Sequence, residues 1–221
     1  MNERQQESLE VLTEIRSIMH KSSRFLSLSG WSGIWAGITA LVASGVAYGW
    51  LTDQSAFVTN AGVDVMPNGQ FSEAAAMWSE RLLILAVVTF VVALLGALFF
   101  TWRKNKKAGE ATFTGAARKL AVSMMIPMGA AACFILFFIL NHHFAYIVPA
   151  SLVFYGLTLI NSSKYTFSDI RYLGLSEVII GCIALFIPDM GLYLWALGFG
   201  IMHIVYGTIM WFKYDRKVNR L

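Results

Sequence analysis

Charged residues are scarce in this sequence: Asp, Glu, Lys and Arg make up 14% of its 221 residues, against roughly a quarter in an ordinary soluble domain. Most soluble folds are excluded on that ground. The two cysteines, Cys133 and Cys182, fall within long apolar runs and read as small buried apolar residues, which sets aside a redox pair or a thiolate metal site. Catalytic patterns are missing as well. There is no Ser-His-Asp set, no H-E-x-x-H, no paired carboxylates and no phosphate-cradling glycine loop. The chain therefore reads as non-enzymatic, with no cofactor and no metal.

What fills the space is apolar: 57% of the residues, or roughly 126, close to the demand of six membrane-spanning helices of about 20 residues each. Uninterrupted apolar stretches lie at about 29–51, 82–102, 120–140, 144–161, 172–188 and 192–212. A bilayer interior offers no water to bond the backbone, and none of these stretches shows the alternation of a barrel strand. The expected fold is an all-α integral membrane protein with six transmembrane helices arranged as three helical hairpins, preceded by an amphipathic helix. Its parts are a cytoplasmic helix over 1–28, a transmembrane domain over 29–213 and a cytoplasmic tail over 214–221.

Orientation follows from the 17 Lys and Arg, because basic residues of short loops are retained in the cytoplasm. They cluster before the first span, between spans two and three, between four and five, and after six. The loops 52–80, 141–143 and 189–191 hold none, and Arg81 at a span boundary is the exception. Sixteen cations against seven carboxylates leave the inner face at about +9, and the outer face at about −4. Both termini are expected on the cytoplasmic side of the membrane. The basic balance then orients the protein and meets anionic lipid, so no nucleic-acid partner is expected. Trp50, Trp78 and Trp195 fall near the outer boundary, and Trp102 and Trp211 near the inner one. The first 25 residues are charged and the first span is too long for a signal peptide, so that span reads as a retained anchor.

Leu9, Leu12, Ile15, Ile18, Met19, Phe25 and Leu26 recur at helical spacing over 3–27, which predicts an amphipathic helix that lies on the inner surface or docks a partner. The outer loop 52–80 carries Asn60-Ala61-Gly62 and Pro67-Asn68-Gly69 turn chemistry between β-prone pieces such as Phe57-Val58-Thr59, which suggests a small hairpin. Ser72 is placed to cap a helix running through Trp78 into span two and projecting beyond both membrane surfaces.

A shift of 144 residues superposes Gly30 to Leu41 on Gly174 to Leu185, with five identities, the mark of an internal repeat. Its physical content is a stripe of small residues: Gly30, Gly33 and Gly37 in span one, Gly174 and Gly181 in span five, and Gly200 and Gly207 in span six. Such stripes let helix backbones approach closely in lipid.

Two runs carry a resemblance. Asn161-Ser162-Ser163-Lys164-Tyr165-Thr166-Phe167-Ser168-Asp169-Ile170-Arg171-Tyr172-Leu173-Gly174 and Gly198-Phe199-Gly200-Ile201-Met202-His203-Ile204-Val205-Tyr206-Gly207 resemble an uncharacterised family of bacterial six-span inner-membrane proteins with no assigned activity. More faintly, the hairpin from Gly174 to Trp211, with its apolar run ending at Pro188, is similar to the acid-resistance membrane protein (HdeD-like) family, built from three hairpins. The resemblance implies a bacterial inner-membrane location and, through the second family, an envelope or stress setting.

One polar site stands out. Glu177 is the only formal charge within any span, and such a residue normally faces protein or a water-filled cavity. At 1.5 Å per residue it lies roughly 8 Å from the inner end of its span, with Tyr206 at about 10 Å and His203 at about 15 Å on the next. Tyr206 is thus the expected nearer partner, and His203 needs a water or a bent helix. Pro127 and Gly129 are placed to kink span three nearby. Glu177 then serves either as a structural post, bonded locally or snorkelling toward Arg171 or Arg24, or as a protonatable carboxyl on an ion or solute path. His142 and His143 lack a third ligand at metal-site spacing and read as turn residues. The functional expectation is a membrane protein acting by packing with itself, lipid or a protein partner through residues 1–28. The alternative is a small transporter or channel using Glu177, Tyr206 and His203.

Overall fold

A computed structural model describes Phe25 and residues 28–61, 73–109, 111–112, 114–141 and 143–216, with side chains omitted over 53–79. The described residues are all helical in their regular structure, with no strand among them. The elements are α1 (Gly30–Ala61), α2 (Glu73–Ala108), α3 (Gly115–Leu140), α4 (Ile147–Ser162, entered through a 3-10 turn at Phe144–Tyr146) and α5 (Ile170–Phe186). After a 3-10 turn at Pro188–Met190, α6 joins Gly191–Trp195, a π-helical stretch Ala196–Met202, His203–Met210 and a second π-helical turn Trp211–Asp215. Five helical segments are long and apolar enough to cross a membrane: Gly30–Thr52, Glu80–Ala108, Gly115–Leu140, Phe144–Ser162 and Pro188–Asp215. The stretch expected at 172–188 is α5, which is equally apolar in character but has only 17 residues, about 26 Å of helix.

α1 outruns its expected bounds, while α2 runs from Glu73 through span two as the helix expected to project beyond both membrane surfaces. α1 has 32 residues and α2 has 36, about 48 and 54 Å long against a hydrocarbon core near 30 Å. The hairpin expected between them is corrected in part: Phe57-Val58-Thr59 continues α1 as helix to Ala61. Once a helix is under way, each added residue gains a backbone bond, and that outweighs the weak β preference of three residues. Ser72 and the turn at 67–69 lie outside the described residues, as does the amphipathic pattern over 3–24. Phe25, at the end of that pattern, is buried and not helical; its N–H donates to the Tyr165 carbonyl at 2.7 Å. α2 stops at Gly109, whose φ of +68° is the left-handed conformation that suits a glycine just past a helix end. α3 begins at Thr114, whose hydroxyl accepts from the Ala117 N–H.

Glycine sets the central packing. A Cβ at Gly30 would lie 2.6 Å from the Gly207 carbonyl oxygen, one at Gly37 2.6 Å from the Gly200 carbonyl oxygen, and one at Gly207 2.5 Å from the Ile34 nitrogen. α1 and α6 are therefore in backbone contact and run antiparallel, from Gly30 beside Trp211 to Tyr48 beside Tyr193. The second close pair is α4 with α5, where Gly156 and Gly174 face each other's carbonyls and Gly181 meets Leu152 and Val153. Dispersion between backbones at this range replaces the hydrophobic drive that lipid does not supply. α2 packs on α1, with the Trp35 indole donating to the Val92 carbonyl at 3.1 Å over Gly96. α3 packs on α4, where the Asn161 amide donates to the Ser123 hydroxyl and carbonyl. The outward faces of both outer helices are apolar and exposed, for example Val87, Leu95, Leu98, Met125, Ile126 and Leu140, as a lipid-facing surface requires. Cys133 and Cys182 lie on α3 and α5 but on that outward surface. The expectation that they are buried is corrected: in a bilayer, apolarity selects the helix and leaves its face open.

Candidate functional site

Glu177 sits in the middle turns of α5, fully buried. The α6 backbone makes room for it. A Cβ at Gly198 would come within 2.5 Å of Glu177 Oε2, so only glycine admits the carboxyl there. Gly198 lies in the π-helical stretch Ala196–Met202, a rare distortion that is frequent at functional sites. The irregular backbone is thus in α6. Pro127 is contained within the continuous α3, and a Cβ at Gly129 would meet nothing within 4 Å.

The expected order of partners is reversed by the geometry. His203 Nδ1 lies 3.4 Å from Glu177 Oε1, within ion-pair range, while neither carboxyl oxygen accepts a hydrogen bond. Tyr206 does not bond the carboxyl, and its buried hydroxyl has no hydrogen-bond partner. Tyr206 instead packs against the buried cluster of Leu159, Phe167, Ile170, Leu173 and Met210, so its place around the α6 axis, which axial height does not register, takes it away from the carboxyl. The carboxyl does not snorkel. Glu177 is fully buried and Arg171 is exposed, while Arg24 lies outside the described residues.

A residue that the sequence reading missed completes the group. Tyr155 of α4 places its hydroxyl 2.9 Å from His203 Nε2, and its ring lies against His203 and Phe199. The other ring nitrogen, Nδ1, is 3.1 Å from the Gly198 carbonyl. A carbonyl only accepts, so Nδ1 carries the hydrogen, and in the neutral ring Nε2 accepts from the Tyr155 phenol. Phenol, imidazole and carboxyl thus form a chain across α4, α6 and α5. Chemically it can hold and pass one proton. The available signal was the pair Tyr155-Gly156, where a phenol adjoins a helix-contact glycine.

A second polar group lies at the ends of the helices. Asp215, buried, accepts from the Ser29 hydroxyl at 3.2 Å and from the Gly30 N–H at 2.9 Å through Oδ2. Its Oδ1 pairs with Lys104 Nζ at 2.8 Å, and Lys104 also donates to the Leu28 carbonyl. The carboxylate therefore caps the N-terminus of α1, where free N–H groups and the helix dipole favour an anion, and fastens the end of α2 to it. Nearby, the turn between α4 and α5 is tied to α6: Asp169 accepts from Lys213 Nζ and from the Tyr214 hydroxyl at 3.0 Å. The Lys213 hydrogen bond, and less strongly that of Tyr214, hold the Asp169 carboxyl below the usual carboxylate range.

Among the described residues no group of three His, Cys, Asp or Glu is placed to hold a metal ion; His142 lies outside them, and His143 is exposed beside Phe137 and Tyr146. No protein-family model matches the chain, and no curated protein or solved structure matches it either. The fold and this site, packed helices of which five are long and apolar enough to cross a membrane, around a buried carboxyl–imidazole–phenol group, are what defines the chain.

Proposed function

We propose that the chain is a non-enzymatic, six-span protein of the bacterial inner membrane that acts through packing with itself, with lipid or with a protein partner engaged by residues 1–28. α5 counts as the sixth span: it pairs antiparallel with α4 along glycine contacts and is followed by a turn of four residues, 187–190, before α6. Three hairpins, α1–α2, α3–α4 and α5–α6, follow from that count, with both termini cytoplasmic because the basic residues flank the same ends. The repeat and the resemblance to six-span inner-membrane families support the same layout and an envelope or stress setting. The observation that carries the reading is the closed centre: α6 lies at backbone contact with α1 and takes the Glu177 side chain of α5 against Gly198, and Glu177 has 0% exposure. Native mass spectrometry and crosslinking from lipid nanodiscs, with and without residues 1–28, test it. A chain that stays monomeric and captures neither lipid nor partner refutes it.

One observation favours a second reading, a small transporter or channel coupled to protons. Both Glu177 oxygens lack a hydrogen-bond donor although fully buried, and His203 is their single ion-pair neighbour. Such a group is expensive unless it binds something during the working cycle. In reconstituted vesicles Glu177→Gln then abolishes pH-dependent flux while leaving assembly intact; unchanged flux removes Glu177 from the mechanism.

A further inference from the structure

Six aromatic rings form one unbroken row at the cation-rich end of the bundle, from α2 through α1 to α6. Trp102 meets Phe99 at a centroid distance of 6.3 Å, Phe99 meets Phe100 at 5.6 Å, and Phe100 meets Trp31 at 6.5 Å. Trp31 meets Trp211 at 6.4 Å, and Trp211 meets Phe212 at 4.9 Å. A cation stands over each end: Lys106 Nζ is 5.0 Å from the Trp102 ring centroid, and the guanidinium carbon of Arg216 is 5.9 Å from that of Phe212, within cation–π range. The row is not core, since Trp31, Phe99, Trp102 and Phe212 are half-exposed. Backbone contact between Gly30 and Gly207 brings Trp31 beside Trp211, and the Trp35 bond to Val92 over Gly96 holds Phe100 of α2 against both tryptophans of α1.

An ordinary interfacial belt scatters single Trp and Tyr around a bundle. This row occupies one side. The first three turns of α3 and the last two of α4 hold no aromatic residue, Phe167 is buried, and the exposed Tyr172 of α5 has no ring neighbour among the described residues. At either end of the row the helix face is graded. On α2, steps of four, three and four residues align Leu95, Phe99, Trp102 and Lys106; on α6 the same steps align Val205, Ile209, Phe212 and Arg216. All of these are exposed. Each column passes from aliphatic through aromatic to cationic, the order in which a phospholipid presents acyl chain, glycerol ester and phosphate. Of the carboxylates described at this end, Asp169 takes Lys213 and Asp215 takes Lys104, and neither Lys106 nor Arg216 has a carboxylate partner among the described residues. Trp35 alone of the indoles there donates within the described protein, which leaves the N–H groups of Trp31, Trp102 and Trp211 for ester and phosphate oxygens.

We propose that this row is a binding surface for anionic phospholipid, with a headgroup phosphate at Lys106 and another at Arg216 and acyl chains along the two columns. This rests on the reading of the chain as a membrane protein that acts with lipid, and names the lipid class and the place. Charge selects the headgroup: each cation attracts an anionic lipid and is indifferent to a zwitterionic one. The rings select the depth, because an indole with its N–H unused is held at the level of the glycerol esters. Phe25 packs on Ala116 and Leu120 of α3 and bonds Tyr165, not the row, so the last described residue before Leu28 leaves this surface open to the bilayer.

The test uses the full chain in phosphatidylcholine vesicles, with Trp50→Phe, Trp78→Phe and Trp195→Phe so that the remaining indoles are Trp31, Trp35, Trp102 and Trp211. Quenching of their fluorescence by brominated phosphatidylglycerol, against brominated phosphatidylcholine at the same mole fraction, gives the relative affinity at the row. Phosphatidylglycerol is expected to be preferred by about five-fold, the effect of one cation beside an anionic headgroup. Lys106→Gln with Arg216→Gln is expected to bring that preference close to one. Lys164→Gln with Arg171→Gln removes the same charge from the same end but off the row, and is expected to leave the preference in place. All four side chains are exposed, so the fold is kept. An equal loss in both pairs, or no preference before either change, overturns the site and leaves the membrane reading standing. If neither brominated lipid quenches these indoles, the chain does not reach the bilayer, and the reading and the site fall together.

Discussion

Gly37 gives the most direct test of how the bundle is held together. A Cβ there would sit 2.6 Å from the Gly200 carbonyl oxygen and 2.9 Å from the Ile204 nitrogen, both of them backbone. Ordinary van der Waals contact begins near 3.4 Å, so α1 and α6 must part by several tenths of an ångström or more, and the neighbouring contacts at Gly33 and Gly207 loosen together. Overpacking of this kind costs about 1–3 kcal/mol, and the rigidity of the two backbones puts Gly37→Ala at about 2 kcal/mol or more, roughly a thirty-fold loss in the folded-to-unfolded ratio. The same change at Gly129 or Gly45 meets nothing within 4 Å, and the helix preference for alanine makes it neutral or stabilising by about 0.5–1 kcal/mol. Reversible unfolding in mixed micelles, read by steric trapping or by denaturant titration, compares the three variants in one assay. If Gly37→Ala proves as harmless as Gly129→Ala, backbone contact between α1 and α6 does not support the fold and the packing argument fails.

Further outcomes follow from the polar groups. Asp215→Asn leaves Lys104 without its partner and weakens the cap on α1, with an expected loss of about 2–3 kcal/mol; the double change with Lys104→Gln should recover part of it, and strict additivity in the double-mutant cycle would contradict the pairing. His203→Ala removes the bonds to Tyr155 and the Gly198 carbonyl and leaves a cavity beside the fully buried Glu177 carboxyl, with an expected loss of about 2–4 kcal/mol; a melting temperature equal to that of the unaltered chain would refute the packing of this group. Because the folded-state pKa of Asp169 is lowered by Lys213, its contribution to stability is present above the unfolded value near 3.8 and is lost as the pH falls through the lower folded value. Lys213→Met should return the Asp169 titration toward the ordinary range, as followed by NMR of the labelled carboxyl; an unmoved titration would break the assignment.

Much of the fold was legible because its determinants are local. Long apolar runs bounded by Arg103–Lys107, Lys164 and Lys213 declare their helices without any tertiary information. Gly30, Gly33, Gly37 and Gly207 announced close approach because a bilayer gives few other reasons to align glycines. What was hidden depended on the third dimension. Asp215 and Gly30 are 185 positions apart, and no periodicity links a capping carboxylate to a helix start at that distance. The partner of Glu177 was misjudged for a different reason: axial height was counted without the position around the helix axis, and the packed α6 sets His203 against Glu177 while Tyr206 meets the cluster around Leu159 and Phe167. Helix persistence past Thr52 was underestimated because turn-forming residues were weighed without the momentum of the helix leading into them.

The bond between Asp215 and the start of α1 joins the first and last described helices into a closed ring. During synthesis the glycine face of α1 and its free N–H groups enter the bilayer long before the carboxylate that caps them has been made. Completion of the bundle therefore waits on the emergence of α6. A chain interrupted ahead of that point leaves the start of α1 without its capping carboxylate and Lys104 without its partner.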